Sequence, residues 1–254
     1  MIAFEAVALA LFIVGLCVGS FLNVVIARVP EGRSVVSPRS ACPRCGAEIE
    51  WYDNVPLVSY ALLRARCRRC GEPISIRYPI VELLTGLLFV LAGWQLGLSI
   101  DLLPALLLLP TLVAITAIDL DRQLIPDVLS LPGIAVGLLI STITGRPGWL
   151  DSLLGTLVGG GIFFLIIVAS RGGMGGGDMK LGAMLGAFLG WKLVLVGILL
   201  SVLAGGLVAI VLLALRRRGR KDAVPFGPFL ALGGTVSLFW GRPLLEWYLG
   251  VFSG

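Results

Sequence analysis

The run Asp151-Ser-Leu-Leu-Gly-Thr-Leu-Val-Gly-Gly-Gly-Ile-Phe-Phe-Leu-Ile-Ile-Val-Ala-Ser170, followed at once by Arg171-Gly-Gly-Met-Gly-Gly-Gly-Asp-Met-Lys-Leu181, decides how this chain is read. After Asp151 the first part carries no charge and is long enough to cross a bilayer as one helix. The second part is a glycine-dense break that ends on a single carboxylate, Asp178, before apolar sequence resumes. An acid beside a membrane is costly to ionise and is kept there with a partner or for a task. Asp119, at the end of another apolar run, is the best partner the chain offers.

Outward from this stretch the same alternation continues. Hydrophobic residues make up 57% and charged residues 14% of the 254 positions, and the mean hydropathy is +1.00. Too few polar groups exist to cover a water-soluble globule of this size. No run shows the period-2 alternation of a membrane barrel, so helices satisfy the backbone in lipid. The expected fold is an all-α polytopic membrane protein of about eight transmembrane helices, with a small polar insertion after the first. The spans fall at Phe4 to Ala27, Pro79 to Leu98, Leu102 to Ile118, Val128 to Ile143, Leu150 to Ser170, Met179 to Gly190, Leu193 to Leu215 and Phe226 to Leu249. The domains read as a first helix at 1–27, a four-cysteine insertion at 28–78 and a membrane-embedded domain at 79–254.

The first run is too long for a signal-peptide core and has Glu5 ahead of it with Arg28 and Arg33 behind, so it reads as a retained span with its N-terminus outside. That topology places seventeen of the twenty Lys and Arg residues on the inner side and leaves Arg146, Lys192 and Arg242 outside, the asymmetry that orients membrane proteins. Both termini then face out, and Asp119 and Asp178 come to the same inner face. The net charge of +5 is orientation charge in loops beside spans and points to the lipid bilayer rather than to a nucleic acid. The chain has no histidine, which removes Ser-His triads, HExxH zinc sites and histidine proton relays.

Two knuckles, Cys42-Pro-Arg-Cys45 and Cys67-Arg-Arg-Cys70, each followed by a glycine, have the spacing of a four-cysteine zinc ribbon. On the cytosolic side thiols stay reduced, so two disulfides are the weaker reading. With four protein ligands and no open position, such a zinc would be structural.

Two carboxylates sharing one site cannot both ionise easily, so one keeps a proton while the other acts as base toward water, the arrangement aspartic proteases use. The glycines before Asp178 allow three readings. A phosphate loop lacks a preceding strand and a following Gly-Lys-Ser/Thr; a flexible connector is the plain alternative; a substrate-access loop of Gly175, Gly176 and Gly177 would let an extended peptide approach Asp178. Other function classes fit the composition too. A proton-coupled secondary transporter would use the same aspartate pair with a glycine-broken helix, and a non-enzymatic scaffold would display the cysteine domain.

Taken together, the residues resemble the bacterial type IV prepilin peptidases, relatives of the GxGD intramembrane aspartyl proteases. The marks are Gly19-Ser20-Phe21-Leu22-Asn23 ahead of Arg28 and Pro30, the two knuckles around Trp51, Asp53-Asn54-Val55-Pro56, Arg77-Tyr78-Pro79 with Glu82, Asp119 to Asp127, and Gly175-Gly176-Gly177-Asp178 with Lys180. The resemblance implies that Asp119 and Asp178 form a peptidase dyad at the cytoplasmic face of the bacterial inner membrane. It implies prepilin and type II secretion pseudopilin substrates, whose short basic leader is cut after a glycine. It further implies N-methylation of the new N-terminus from S-adenosylmethionine, an activity associated with the region Arg28 to Tyr78. Asp121, Asp127 and Glu82 are the acids expected to meet a basic leader. One position departs from the family pattern: the family often has Arg-Gly-x-Cys where this chain reads Arg64-Ala65-Arg66-Cys67, and Ala65 lacks glycine's freedom at positive φ. No glycine-rich nucleotide-binding turn occurs in the insertion, so no S-adenosylmethionine-binding residues are assigned from sequence.

Overall fold

The computed structural model describes residues 2–171, 173–215 and 225–252. Gly172 and the basic run from Arg216 to Lys221, which enters the charge argument above, lie outside the described residues. Two compact units divide the chain, Met1–Leu102 and Leu103–Gly254.

In the first unit, helix α1 (Ile2–Arg28) and helix α3 (Arg77–Leu96) flank the polar insertion, which holds two single-turn 3-10 segments and the short helix α2 (Val58–Leu62). Among the described residues the insertion has no strand, only isolated bridges between Ala41 and Glu48 and between Arg66 and Pro73. Gly15 and Gly19 form a GxxxG stripe on α1 that lets the backbones of α1 and α3 touch. A methyl group on Gly15 would lie 2.7 Å from the Gly86 Cα, and one on Gly19 would lie 2.6 Å from the Glu82 Cα. These pairings run in opposite chain directions, so the two helices are antiparallel and the insertion leaves and returns at one end. Within this unit α3 packs against α1.

The second unit contains α4 (Leu102–Arg122), α5 (Asp127–Thr144), α6 (Trp149–Ala169), α7 (Gly176–Ala214) and α8 (Gly227–Phe252). At 39 residues α7 would be about 58 Å long if straight, nearly twice a hydrocarbon core. It is not straight. Gly190 sits at φ 78° and ψ 170°, and Gly159 of α6 meets both the Gly182 carbonyl and the Val194 side chain. Residues twelve apart on one straight helix are about 18 Å apart, so the chain must fold back at Gly190. The sixth and seventh apolar runs are therefore a helical hairpin within α7. Among the described residues six helices, α1 and α3 to α7, are long and apolar enough to cross a membrane.

The first arm of α7 lies at the centre of this unit. Leu181, Met184 and Leu185 are fully buried and pack in one cluster with Leu108 and Ile115 of α4, Ile140 of α5, Phe163 of α6 and Leu230 of α8. Glycine contacts let it approach α6, where Gly186 meets the Gly155 carbonyl. Outward-facing residues such as Leu157, Leu165, Leu207 and Ile210 are more than half exposed, an apolar surface that only lipid satisfies.

Candidate active site and metal centre

The C-terminal end of α4 and the N-terminal ends of α7 and α8 converge on the two aspartates. Asp119 lies in the last turn of α4 and is 5% exposed. Asp178 lies in the first turn of α7, half-buried, with its backbone N–H bonded to the Gly175 carbonyl at 3.2 Å. Both acids thus sit at helix ends rather than mid-span, where the transporter alternative would have placed them.

A third element, missed from sequence, completes the site. The backbone N–H of Gly227, the first residue of α8, donates to Oδ2 of Asp119 at 2.9 Å across 108 residues of chain. A Cβ at position 227 would lie 2.6 Å from that oxygen, so only glycine allows this approach. The available signal was Pro225-Phe226-Gly227-Pro228 before an apolar run, a helix-start pattern whose target is invisible in one dimension.

The glycines before Asp178 have different jobs. Gly175 is the N-cap of α7 in extended backbone (φ −74°, ψ 142°), and helix begins at Gly176. The expected access loop of three glycines is thus corrected, since Gly176 and Gly177 are helical and irregular backbone ends at Gly175. Tertiary packing overrides their low helix propensity: a Cβ on Gly177 would come 2.9 Å from Cβ of the buried Ile125. Gly176 faces open space, and a Cβ on Gly175 would sit 3.7 Å from Oδ2 of Asp178. The open side of the aspartate pair therefore lies along Gly175 and Gly176.

Neighbouring charges are also placed. Nζ of Lys180 pairs with Oδ1 of Asp127 at 2.6 Å, tying the start of α7 to the start of α5. Glu82 is buried and accepts the Leu57 N–H at 2.9 Å, which latches the insertion to α3. Glu82 is thus turned inward, whereas Asp127 and Asp121 are exposed at the ends of α5 and α4.

The four cysteines converge as expected. The Sγ atoms of Cys42, Cys45, Cys67 and Cys70 all lie within 4.8 Å of one another, and those of Cys42 and Cys70 are 3.8 Å apart. A tetrahedron with metal–sulfur bonds of about 2.3 Å has edges of about 3.8 Å, so this donor set fits zinc.

The two knuckles repeat one hydrogen-bond pattern. Cys42 N–H bonds to the Ala47 carbonyl at 2.9 Å, Gly46 N–H to the Cys42 carbonyl at 2.9 Å and Ile49 N–H to the Ser40 carbonyl at 2.8 Å. Cys67 to Glu72, Gly71 to Cys67 and Ile74 to Ala65 repeat it at 2.8, 2.9 and 2.7 Å. Gly46 and Gly71 turn at φ 69° and 72°, where side-chain-bearing residues are strained.

Backbone donors from Cys70 and Arg69 bring the Cys67 thiol down to about 7. At Cys70 a backbone contact with Glu72 pulls down, but desolvation and the neighbouring sulfurs outweigh it and push the thiol up to about 12. Crowded sulfurs cannot all shed protons together without a cation. Beside the second knuckle, Arg68 grips Asp53 through two hydrogen bonds of 2.8 and 2.6 Å, holding that carboxyl below its usual range. It also lies over the Tyr52 ring at 5.6 Å.

Asp119 and Asp178 thus lie at the ends of two helices that are long and apolar enough to cross a membrane and share one core. Residues 13–96 match the Bacterial Peptidase A24 N-terminal domain, and residues 106–210 match the Type IV leader peptidase family. The chain belongs to the type IV leader peptidase family. It is 41% identical over 270 residues to the prepilin leader peptidase/N-methyltransferase of Aeromonas hydrophila, covering 95% of this chain and 93% of that protein. It is 40% identical over 272 residues to the protein of the same description in Pseudomonas aeruginosa, covering 96% and 94%. With that of Myxococcus xanthus it shares 48% identity over 220 residues, 84% of this chain and 66% of that longer protein, just under two thirds. No solved structure matches.

Proposed function

We propose that this protein is a membrane aspartyl endopeptidase that removes the short basic leader of type IV prepilins and pseudopilins after a glycine, and N-methylates the residue it exposes. The observation that supports the peptidase reading is the position of Asp119 in the last turn of α4 and of Asp178 in the first turn of α7, helices that pack in one core, in a chain of this family. One carboxylate takes a proton from water as the water oxygen attacks the scissile carbonyl carbon. Its protonated partner donates to the carbonyl oxygen. The tetrahedral intermediate then collapses: one of its hydroxyls returns a proton to the partner carboxylate, the C–N bond breaks, and the leaving amine nitrogen gains the proton taken from water. Gly175 and Gly176 leave room for the extended substrate backbone beside Asp178.

The cysteine cluster is a structural zinc site held by Cys42, Cys45, Cys67 and Cys70, whose role is to fold the insertion. The methyltransferase reading rests on the description shared by the relatives. In the insertion Arg68 and Asp53 are engaged with one another and the Leu57 N–H with Glu82 of α3, and no strand-to-helix glycine turn is present among the described residues. No residues of the segment are assigned to S-adenosylmethionine. The inner-side excess of Lys and Arg supports an inner-membrane location, with the aspartates at the cytoplasmic face and both termini outside.

The test is mass spectrometry of a prepilin incubated with the purified protein, with and without S-adenosylmethionine. The expected products are a chain cut directly after the leader glycine and, with the methyl donor, a gain of one methyl group at the new N-terminus. An intact prepilin would overturn the peptidase reading; a cut, unmethylated product would overturn only the second activity.

A further inference from the structure

The two carboxylates have unequal surroundings. Asp119 is almost fully buried and receives the Gly227 N–H. The Asp178 side chain, on the open side, accepts no hydrogen bond from any described residue.

The source of the donor to Asp119 can be traced by accounting for the first turn of α8. A helix start leaves its first N–H groups without partners inside the helix. Pro228 has no N–H, and the N–H groups of Phe229 and Leu230 both bond to the Phe226 carbonyl at 3.0 Å. Gly227 is left as the donor of that turn, and it is spent on Asp119. The helix start is also fixed independently of this bond. The Phe226 ring packs at 6.0 Å from Phe163 and at 6.4 Å from Phe229, and a Cβ on Gly205 would be 3.4 Å from Phe226 and 3.3 Å from Phe229. The N–H is therefore held in place by packing, as a preorganised donor must be. A donor without acceptor capacity at the positive end of a helix favours the ionised form of the group it meets.

We infer that Gly227 is a positioning residue that holds Asp119 as the carboxylate of the pair, the group that takes the proton from the attacking water, and leaves Asp178 to carry the shared proton to the scissile carbonyl. This rests on the peptidase reading above and assigns roles that the bare pair leaves open. Hydrogen bonds to charged groups are worth enough that losing this one should slow the chemical step by about 10- to 100-fold.

The experiment uses the full-length protein in nanodiscs with a prepilin substrate. A backbone ester at Gly227, made by inserting glycolic acid during translation, removes the N–H without adding atoms, while weakening the Phe226 carbonyl as an acceptor for Phe229 and Leu230; Gly227→Ala adds a methyl group against Asp119. Both should lower kcat by that factor and leave KM for the prepilin unchanged. The thermal midpoint provides a second readout: Gly227→Ala should lower it in the native background but not beside Asp119→Ala, where the added methyl has room. In the native-Gly227 background, Asp178→Asn still offers an amide N–H to a carbonyl and should retain about tenfold more residual kcat than Asp119→Asn, which cannot take a proton. An unchanged kcat in the ester, a rise in KM alone, equal destabilisation in both backgrounds, or the reverse order of the two Asn variants would each overturn the assignment. Should Gly227→Ala fail to accumulate, the ester decides. Absence of prepilin cleavage by the native protein would instead refute the peptidase reading on which this rests.

Discussion

The cysteine cluster and the aspartate pair are both points where distant side chains meet, but they are built by opposite means. Cys42 to Cys70 lie within one short segment, and each half shapes itself through the same three backbone hydrogen bonds and one positive-φ glycine. Asp119, Asp178 and Gly227 come from three helix ends with at least one whole helix between any two of them. Nothing local brings them together; they meet because α4, α7 and α8 share the core around Leu181, Leu185 and Leu230. A site made of local turns should fail when its ligands are changed, whereas a site made of helix ends should also fail when the packing beneath it is changed.

The largest effect is expected at the aspartates themselves. Asp119→Asn or Asp178→Asn should each lower prepilin cleavage by about 10³-fold or more, since one half of the acid–base pair is lost. The protein should still insert and retain its metal. Measuring cleavage and zinc content on the same preparation checks both, and loss of zinc in either variant would show that the two sites are not separately built.

The reciprocal break is Cys42→Ser, or chelation of the native protein. Removing one of four thiolate ligands should take bound zinc from about one ion per chain to near none and make the insertion sensitive to protease. Metal analysis and limited proteolysis report this. The helices of the second unit should keep their resistance, because none of their core residues belongs to the insertion.

How far each site was legible in the sequence follows from the same contrast. The knuckles were readable in full because the spacing of four residues and two glycines carries their geometry. The apolar runs were readable as helices, including the end of one at Gly190, where the chain reverses. The pair Asp119 and Asp178 was reachable through topology, since charge counting places both at one face. What stayed hidden were contacts that depend on three-dimensional packing: the Gly227 donor, the Lys180–Asp127 pair and the burial of Glu82 against α1. The glycines at 176 and 177 were misread as loop because propensity does not register Ile125 packed against them.

Those two glycines offer a medium-sized test of the packing claim. Gly177→Ala forces a methyl group toward Ile125 and should cost about 1–3 kcal/mol of stability. Gly176→Ala enters open space and should be neutral or stabilising by up to about 1 kcal/mol, as alanine is the better helix former. Thermal unfolding of the two variants separates them. Equal midpoints would mean that the helix start beside Asp178 is not set by packing on Ile125.

The smallest expected effect lies at Ala65, just ahead of the second knuckle. Ala65 adopts φ 57°, the left-handed region in which a Cβ costs roughly 1–2 kcal/mol. The backbone is held there because its N–H bonds to the Tyr60 carbonyl at 2.9 Å while its carbonyl accepts the Ile74 N–H at 2.7 Å, the third bond of the second knuckle. The fold thus demands glycine-like backbone at this position and tolerates alanine. Ala65→Gly should relieve the strain but loosen the unfolded chain, for a net gain of about 0.5–1 kcal/mol in the insertion with zinc content unchanged. The protease resistance of the insertion, measured over a denaturant series, detects a gain of that size. A loss would mean that the Ala65 methyl makes a packing contact worth more than the strain, so that the second knuckle is not shaped by its backbone alone, as its likeness to the first implies.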